Sequence, residues 1–130
     1  MATRSPTPKH VLIATATAAD TRTRMIQVGV KEVSVIGVAT NADDWITLPS
    51  LNSVPNGWTI KIGCDAASNF ELRTPASSNE EINSEDCDGT KEYLCTDTQV
   101  VWVNKINNTI GWEAHGYSAI GAAVTAVVPD

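Results

Sequence analysis

The chain has 130 residues, the length of one domain and enough to bury a hydrophobic core without disulfides or metals. It has no apolar run of about 18 residues, so no membrane-spanning helix is expected. Its net charge of −6 is uneven: residues 1–31 carry five basic side chains and one acidic one (+4), and the rest carries four basic and fourteen acidic ones (−10). The acidic body argues against nucleic-acid binding. The basic end predicts either contact with an acidic partner or a flexible arm kept soluble by its charges.

The N-terminal segment, residues 1–24, is predicted to be an extended arm attached to a folded domain over residues 25–130. Pro6 and Pro8 lie among several serines and threonines, a composition typical of poorly ordered chain. Thr15 and Thr17 interrupt the apolar stretch that follows, whereas the hydrophobic region of a signal peptide is continuous. We therefore expect a mature arm rather than a cleaved leader.

The domain begins with a valine-rich segment at 25–38, in which Val33 and Val35 are expected to face one side. A short strand, WITLP, follows at 45–49, and VPNG at 54–57 is a turn sequence. The next segment, WTIKI at 58–62, alternates most clearly and predicts an inward-facing set of Trp58, Ile60 and Ile62.

Phe70 and Leu72 repeat that inward pattern before a long, hydrophilic loop at 75–90. Three strands are expected after the loop, at 92–95, 99–103 and 110–114, with a turn at 107–108 between the last two. No segment sustains helical periodicity with a capped start. The sequence therefore predicts an all-β fold, a single antiparallel β-sandwich or jelly-roll-like domain with an extended N-terminal arm.

A search for catalytic groups finds none in a recognisable arrangement. Ser118 lies in a sequence close to G-x-S-x-G, but Ile120 replaces the second glycine and the all-β pattern does not suit that motif. His115 is expected to be a loop histidine. Cys64, Cys87 and Cys95 lack the spacing of a zinc site. They are expected to be reduced and partly buried, and the alternative is one disulfide plus a free thiol. We predict no enzyme activity, no cofactor and no metal.

Residues 80–92 contain six carboxylates within thirteen residues, here called the acidic segment. Carboxylate oxygens bind hard cations, and DCDG at 86–89 resembles part of a calcium loop, but the other ligands are out of register. A solvated loop is the favoured interpretation, a cation site the alternative.

The four tryptophans support either a core or a sugar-binding surface. Trp58 and Trp102 lie in alternating strands and are predicted to be core residues. Trp45 and Trp112 lie near strand ends, where they are available for carbohydrate binding.

The order of these features is similar to that of the small β-sandwich virion proteins of tailed bacteriophages. The resemblance consists of a TATA strand, a valine-rich segment, a G-x-T-[VI]-x-[VI] strand and a V-x-x-[NT]-x-x-W close. Here these features are TATA at 15–18, GWTIKI at 57–62, FELRTP at 70–75, an Ile-Asn loop at 82–83 and VNKINNTIGW at 103–112. The similarity covers about four-fifths of the chain, and such proteins serve as head decoration (cement) proteins or as parts of fibres.

The resemblance implies a homotrimer bound to the major capsid protein on the outer surface of the virion. Arg4, Lys9, Arg22 and Arg24 are the predicted capsid-docking residues. The apolar C-terminal tail suggests a trimer interface formed by Ile120, Val124, Val127 and Val128, although it could equally pair within its own domain. The alternative function is a fibre or adhesin domain that binds host glycans through Trp45, Trp112 and the acidic segment.

Overall fold

A computed structural model of the chain describes residues 11–16, 26, 28–38, 45–65, 69–88, 91–96, 98–118 and 122. In these residues the backbone forms ten strands and one 3-10 turn, with no α-helix. The elements are β1 (Val11–Ala16), β2 (Glu32–Val38), β3 (Trp45–Thr47), the 3-10 turn η1 (Leu51–Ser53), β4 (Thr59–Cys64), β5 (Phe70–Arg73), β6 (Glu81–Ile82), β7 (Glu85–Asp86), β8 (Tyr93–Cys95), β9 (Val100–Asn107) and β10 (Gly111–Tyr117).

The strands belong to two sheets. The larger sheet has the order β1-β2-β4-β9-β10-β6-β7, and the smaller has the order β3-β5-β8. Apolar side chains from both sheets meet in one core. The predicted all-β, sandwich-like fold is thereby confirmed. Nowhere in the described ranges is there a helix long and apolar enough to cross a membrane.

Strand pairing is mixed, whereas the sequence predicted an antiparallel sandwich. The pairs β1–β2, β2–β4, β3–β5 and β6–β10 are parallel, and β4–β9, β9–β10, β5–β8 and β6–β7 are antiparallel. The cause is the chain path: β3 belongs to the smaller sheet, so the chain leaves the larger sheet after β2 and re-enters it at β4 in the same direction. Turn residues in the sequence identify hairpins between consecutive strands. A crossover from one sheet to the other has no comparable local signal, so the parallel pairs were not predicted.

The strand β1 lies within the segment predicted to be an extended arm. It pairs with β2 from Val11 opposite Glu32 to Ala16 opposite Val38, with an irregularity between Ala14 and Thr15. Residues 11–16 therefore form one edge of the larger sheet in the described part of the chain. The remainder of residues 1–24 lies outside the described residues.

The alternation predicted for β4 is confirmed. In β5 the two residues predicted to face inward are buried, but Glu71 between them is buried as well. Ile60, Ile62, Phe70 and Leu72 are each fully buried, and Trp58 is 6% exposed. The two predicted turns are also present: the Trp58 N–H donates to the Pro55 carbonyl at 3.1 Å, and residues 108–110 connect β9 to β10.

The predicted core position of Trp102 is wrong. In β9 the residues that face the core are Val101, Val103 and Lys105, and Trp102 is 40% exposed on the other side of the sheet. Both alternate sets of this strand contain apolar residues, so the sequence allowed either to face inward. Pairing with β4 selects one set, since Val103 lies opposite Ile60 and Val101 lies opposite Ile62.

The described part of the predicted hydrophilic loop, residues 75–88, contains regular structure that the sequence did not predict. Its centre is the hairpin β6–β7, turned by Asn83 and Ser84 with φ angles of 52° and 70°. Ile82 and Cys87 are fully buried in the main core. The buried side chains of Ile82 and Cys87 therefore attach the acidic segment to the domain.

Candidate functional site

The predicted docking and interface residues cannot be placed in the fold. Arg4, Lys9, Arg22 and Arg24 lie outside the described residues, as do Ile120, Val124, Val127 and Val128. The described residues nevertheless fix the positions of two features that bear on binding: the edges of the larger sheet, and the solvent-facing side of its central strands.

The two edges of the larger sheet differ in composition, since the strand β1 contains no charged residue. One edge is β1, which begins two residues after Lys9 in the sequence. The other edge is the β6–β7 hairpin, whose strands carry three of the six carboxylates of the acidic segment, Glu81, Glu85 and Asp86. Six interstrand spacings separate these edges, or about 29 Å at the usual spacing of 4.8 Å.

Several carboxylates of the acidic segment make local contacts. Glu85 accepts a hydrogen bond from Lys91 Nζ at 2.6 Å. Asp86 accepts one from the Asp88 N–H at 3.3 Å, and Glu80 Oε1 accepts one from the Leu51 N–H at 2.9 Å. Among the described residues, no three His, Cys, Asp or Glu side chains are grouped as metal ligands. These contacts stabilise the segment as an acidic surface of the domain.

The three cysteines are buried, and each is a free thiol. Burial is the main reason why the pKa of Cys87 rises from 9.0 to about 11, opposed by a backbone hydrogen bond from Ile82 and reinforced by neighbouring carboxylates. Burial also raises the pKa of Cys95 well above its usual value, and contact with the Cys64 thiol raises it further. Protonated, buried thiols are poor nucleophiles, so these cysteines have the character of core residues.

Two of the tryptophans form the centre of the core. Trp58 and Trp112 meet edge to face, with ring centroids 5.8 Å apart and planes 72° apart. Trp112 is fully buried, so the predicted use of this residue in a carbohydrate surface is wrong. Trp45 is half-buried, and the Arg73 guanidinium lies 4.2 Å from its ring centroid. In the sequence Trp112 lies near a strand end, where an exposed side chain is expected. In the structure β6 pairs in parallel with this part of β10, with Ile82 opposite Trp112.

The solvent-facing side of β4, β9 and β10 is a three-by-three array of residues with Trp102 at its centre. We call this array the Trp102 face. Its rows are Thr59–Asn104–Glu113, Lys61–Trp102–His115 and Gly63–Val100–Tyr117. Because the three strands are hydrogen-bonded across the whole array, the backbone holds the Trp102 side chain at a fixed position among polar neighbours.

The polar groups around Trp102 are organised by contacts across the strands. Lys61 Nζ donates to Glu32 on β2 at 3.0 Å. Thr59 Oγ1 donates to Asn104 Oδ1 at 2.7 Å. His115 Nε2 lies 3.9 Å from Glu113 Oε2, and both side chains are about half exposed. The face therefore presents an aromatic ring, an amide, a hydroxyl and charged groups side by side.

Asp65 adds a carboxylate at one end of the Trp102 face. It accepts a hydrogen bond from the Ser34 hydroxyl at 2.5 Å. A Cβ atom at Gly63 would lie 2.8 Å from Asp65 Oδ2, so this carboxylate lies over the glycine. The glycine leaves room for the carboxylate on the surface beside Val100.

A separate polar cleft of about 190 Å³ lies between η1, residues 78–81 and the β9–β10 turn. Glu80 Oε2 is buried there and has no hydrogen-bond partner among the described residues. Pockets for organic ligands usually measure about 300 Å³ or more, so the cleft suits water-sized molecules better than a larger ligand. The Trp102 face is consequently the stronger candidate for molecular recognition.

Comparison with protein-family models, with curated proteins and with solved structures finds no match to this chain.

Proposed function

We propose that this chain is a bacteriophage capsid decoration protein without enzymatic activity. In this proposal it binds the major capsid protein from outside as a homotrimer and stabilises the shell. The proposal rests on the resemblance to phage virion proteins described above and on the charge distribution of the chain.

The arrangement of the larger sheet is the observation that best supports this function. The basic N-terminal residues lead directly into β1, and the acidic hairpin forms the opposite edge. A protein with opposite charges at its two ends is oriented by an acidic partner before contact is made. We propose that the β1 edge faces the shell and that the acidic hairpin faces away from it.

The two-sheet body suits a bridging role mechanically. Its core is continuous between the sheets, and a rigid body transmits load between capsid subunits without unfolding locally. In a trimer, three N-terminal segments would bind at once and slow dissociation without a high affinity for each segment.

A test of docking has to leave β1 in place. Deleting residues 1–24 would remove β1 and expose the edge of β2, so loss of binding would be ambiguous. We would instead compare two variants that each remove two positive charges. Arg4→Gln/Lys9→Gln changes the proposed docking segment, and Lys61→Gln/Lys91→Gln changes described residues that do not belong to that segment or to β1.

The measurement is co-sedimentation of each variant with purified heads that lack the protein, and separately with isolated tails. We expect saturable binding of the unmodified chain to heads, about tenfold weaker binding of the Arg4/Lys9 variant, and little change for the control. Binding to tails alone, binding to neither, or equal effects of the two variants would contradict the proposal.

A further inference from the structure

Trp102 is the one aromatic side chain at the centre of the Trp102 face and is 40% exposed to solvent. Among the described residues the other large exposed hydrophobic side chains are Val28 and Ile110, neither of which belongs to this face. Placing an indole in water instead of in the core leaves a substantial apolar area hydrated. The core does not require this arrangement, since Val101 and Val103 fill the inward positions on either side.

The surroundings of Trp102 suit a ligand that is apolar on one side and rich in hydroxyl groups at its rim. Asn104 and Glu113 occupy one neighbouring row, and Lys61 and His115 flank the ring within its own row. Amides, carboxylates and basic side chains hydrogen-bond to hydroxyls as donors or acceptors. A pyranose ring has this combination, with C–H groups on its faces and hydroxyls around its edge.

A protein partner fits the face less well. Apart from Trp102, the only apolar or aromatic side chains among the nine are Val100 and Tyr117, in the row at one end of the face, and both are only partly exposed. Stable protein interfaces have an apolar centre depleted in charged groups, whereas charged or ionisable side chains adjoin Trp102 on both sides.

A nucleic acid or another polyanion is also disfavoured. Three carboxylates, Glu32, Asp65 and Glu113, lie on or beside the face, against one ammonium group, Lys61, which gives −2 with His115 neutral. That charge repels phosphate, sulfate and uronate groups and leaves neutral sugars unaffected.

We propose that the Trp102 face binds a neutral carbohydrate chain, with one pyranose ring stacked on Trp102 and its hydroxyls hydrogen-bonded to Asn104, Glu113 and His115. The face spans three adjacent strands, so a chain can extend across them. This function goes beyond shell binding: a decoration protein attached by its β1 edge would carry a glycan-binding surface on the virion.

The test is affinity electrophoresis and isothermal titration of the full chain with maltohexaose, cellohexaose and hexa-N-acetylchitohexaose, and with alginate as an anionic comparison. We expect binding to at least one neutral hexaose and none to alginate. Trp102→Ala should weaken that binding about tenfold or more, and Trp102→Phe should keep most of it because the stacking plane remains. Ile110→Ala is the matched control, since it removes an exposed hydrophobic side chain in the β9–β10 turn.

Three results would overturn this inference: no binding to any of the hexaoses, binding that Trp102→Ala leaves unchanged, or a smaller oligomer for Trp102→Ala in light scattering. The last would assign the face to a second copy of the chain. Head co-sedimentation distinguishes the two proposals, because Trp102→Ala should bind heads normally. If the unmodified chain binds a hexaose but not heads, the decoration function fails and the carbohydrate site stands.

Discussion

Lys105 has an environment that the sequence did not predict. It lies on the inward-facing side of β9 in line with Val101 and Val103, and it is only 4% exposed. Its ammonium group donates to the carbonyl oxygens of Leu51 at 2.6 Å and Val54 at 2.7 Å. These bonds join β9 to the η1 turn and partly offset the free energy required to remove the charge from water.

Replacing Lys105 with methionine, which has a similar length, should therefore destabilise the protein by about 1–3 kcal/mol, because two carbonyl groups lose their charged donor. Lys61→Met is the matched control: it removes a partly exposed ion pair with Glu32, whose contribution should be about 0–1 kcal/mol. Urea denaturation of both variants measures the difference. Equal effects would show that the contacts of the Lys105 ammonium group contribute little to stability.

At the scale of elements, the contact between β10 and the β6–β7 hairpin depends on a glycine. Gly111 has a φ of +87°, and a Cβ atom there would lie 2.5 Å from the Glu81 carbonyl oxygen. The following residue, Trp112, pairs with Ile82 on β6. The absence of a side chain at 111 thus lets the hairpin approach β10 closely.

Gly111→Ala should destabilise the protein by about 3 kcal/mol or more, since the methyl group meets backbone that cannot move without disturbing the pairing. Gly57→Ala is the matched control, because Gly57 has nearly the same φ of +83° but has open space around the added atom. The control should lose only about 1 kcal/mol for the unfavourable φ. Thermal denaturation of both variants tests this, and similar losses would contradict the proposed close packing.

The hairpin is also joined to β10 by a side chain. Asn83 Nδ2 donates to the Ala114 carbonyl at 3.2 Å, and the Ala114 N–H donates to Asn83 Oδ1 at 2.9 Å. The amide group therefore makes the two hydrogen bonds that a paired strand would make at this position.

Asn83→Gly should destabilise the protein by about 2 kcal/mol, because it removes both bonds and leaves buried backbone groups of β10 unpaired. Ser84→Gly is the control: it also replaces a residue of positive φ, and glycine adopts that conformation readily. We expect the control to be neutral or slightly stabilising. Amide hydrogen exchange at Ala114 should accelerate in Asn83→Gly alone, and unchanged exchange would rule out this role.

At the scale of the whole molecule, buried ionisable groups should make the free energy of unfolding fall at alkaline pH. Cys87, Cys95 and Tyr93 are all buried, and burial is the main reason why the pKa of each is raised. Between about pH 9 and 11 the unfolded chain releases the Cys87 proton while the folded protein retains it. The folded state then binds more protons than the unfolded state, so stability falls as the pH rises.

We expect the free energy of unfolding to be constant up to about pH 8 and to fall above pH 9, by about 1.4 kcal/mol per pH unit for each such proton. Cys87→Ala should reduce this slope by about 1.4 kcal/mol per pH unit, the contribution of one proton. This holds whether or not the substitution also changes the free energy of unfolding at neutral pH. Denaturant titrations across the range, under reducing conditions, provide the measurement. A slope that Cys87→Ala does not change would show that the thiol ionises normally in the folded protein.

The sequence by itself determined the fold class and much of the core. Period-two alternation in segments such as 58–62 needs only local information, because successive side chains of a strand point to opposite faces. The turns at 54–57 and 107–108 were predictable for the same reason, since Gly57 takes the positive φ of the first turn and Asn107 Oδ1 accepts hydrogen bonds from the Thr109 and Ile110 N–H groups in the second. The unequal charge of the two parts of the chain also follows from the sequence.

Only the tertiary structure decided which strands pair and which residues the pairing exposes. Val101 or Trp102 could each have faced the core, and the register with β4 selected Val101. Trp112, near the end of an apparent hairpin, was buried by a parallel contact with a segment thirty residues earlier. The Trp102 face consists of residues from three strands that no local pattern links. Hydrogen bonds between segments that are distant in the sequence hold these three strands side by side. Those bonds form only when all the strands are in place together.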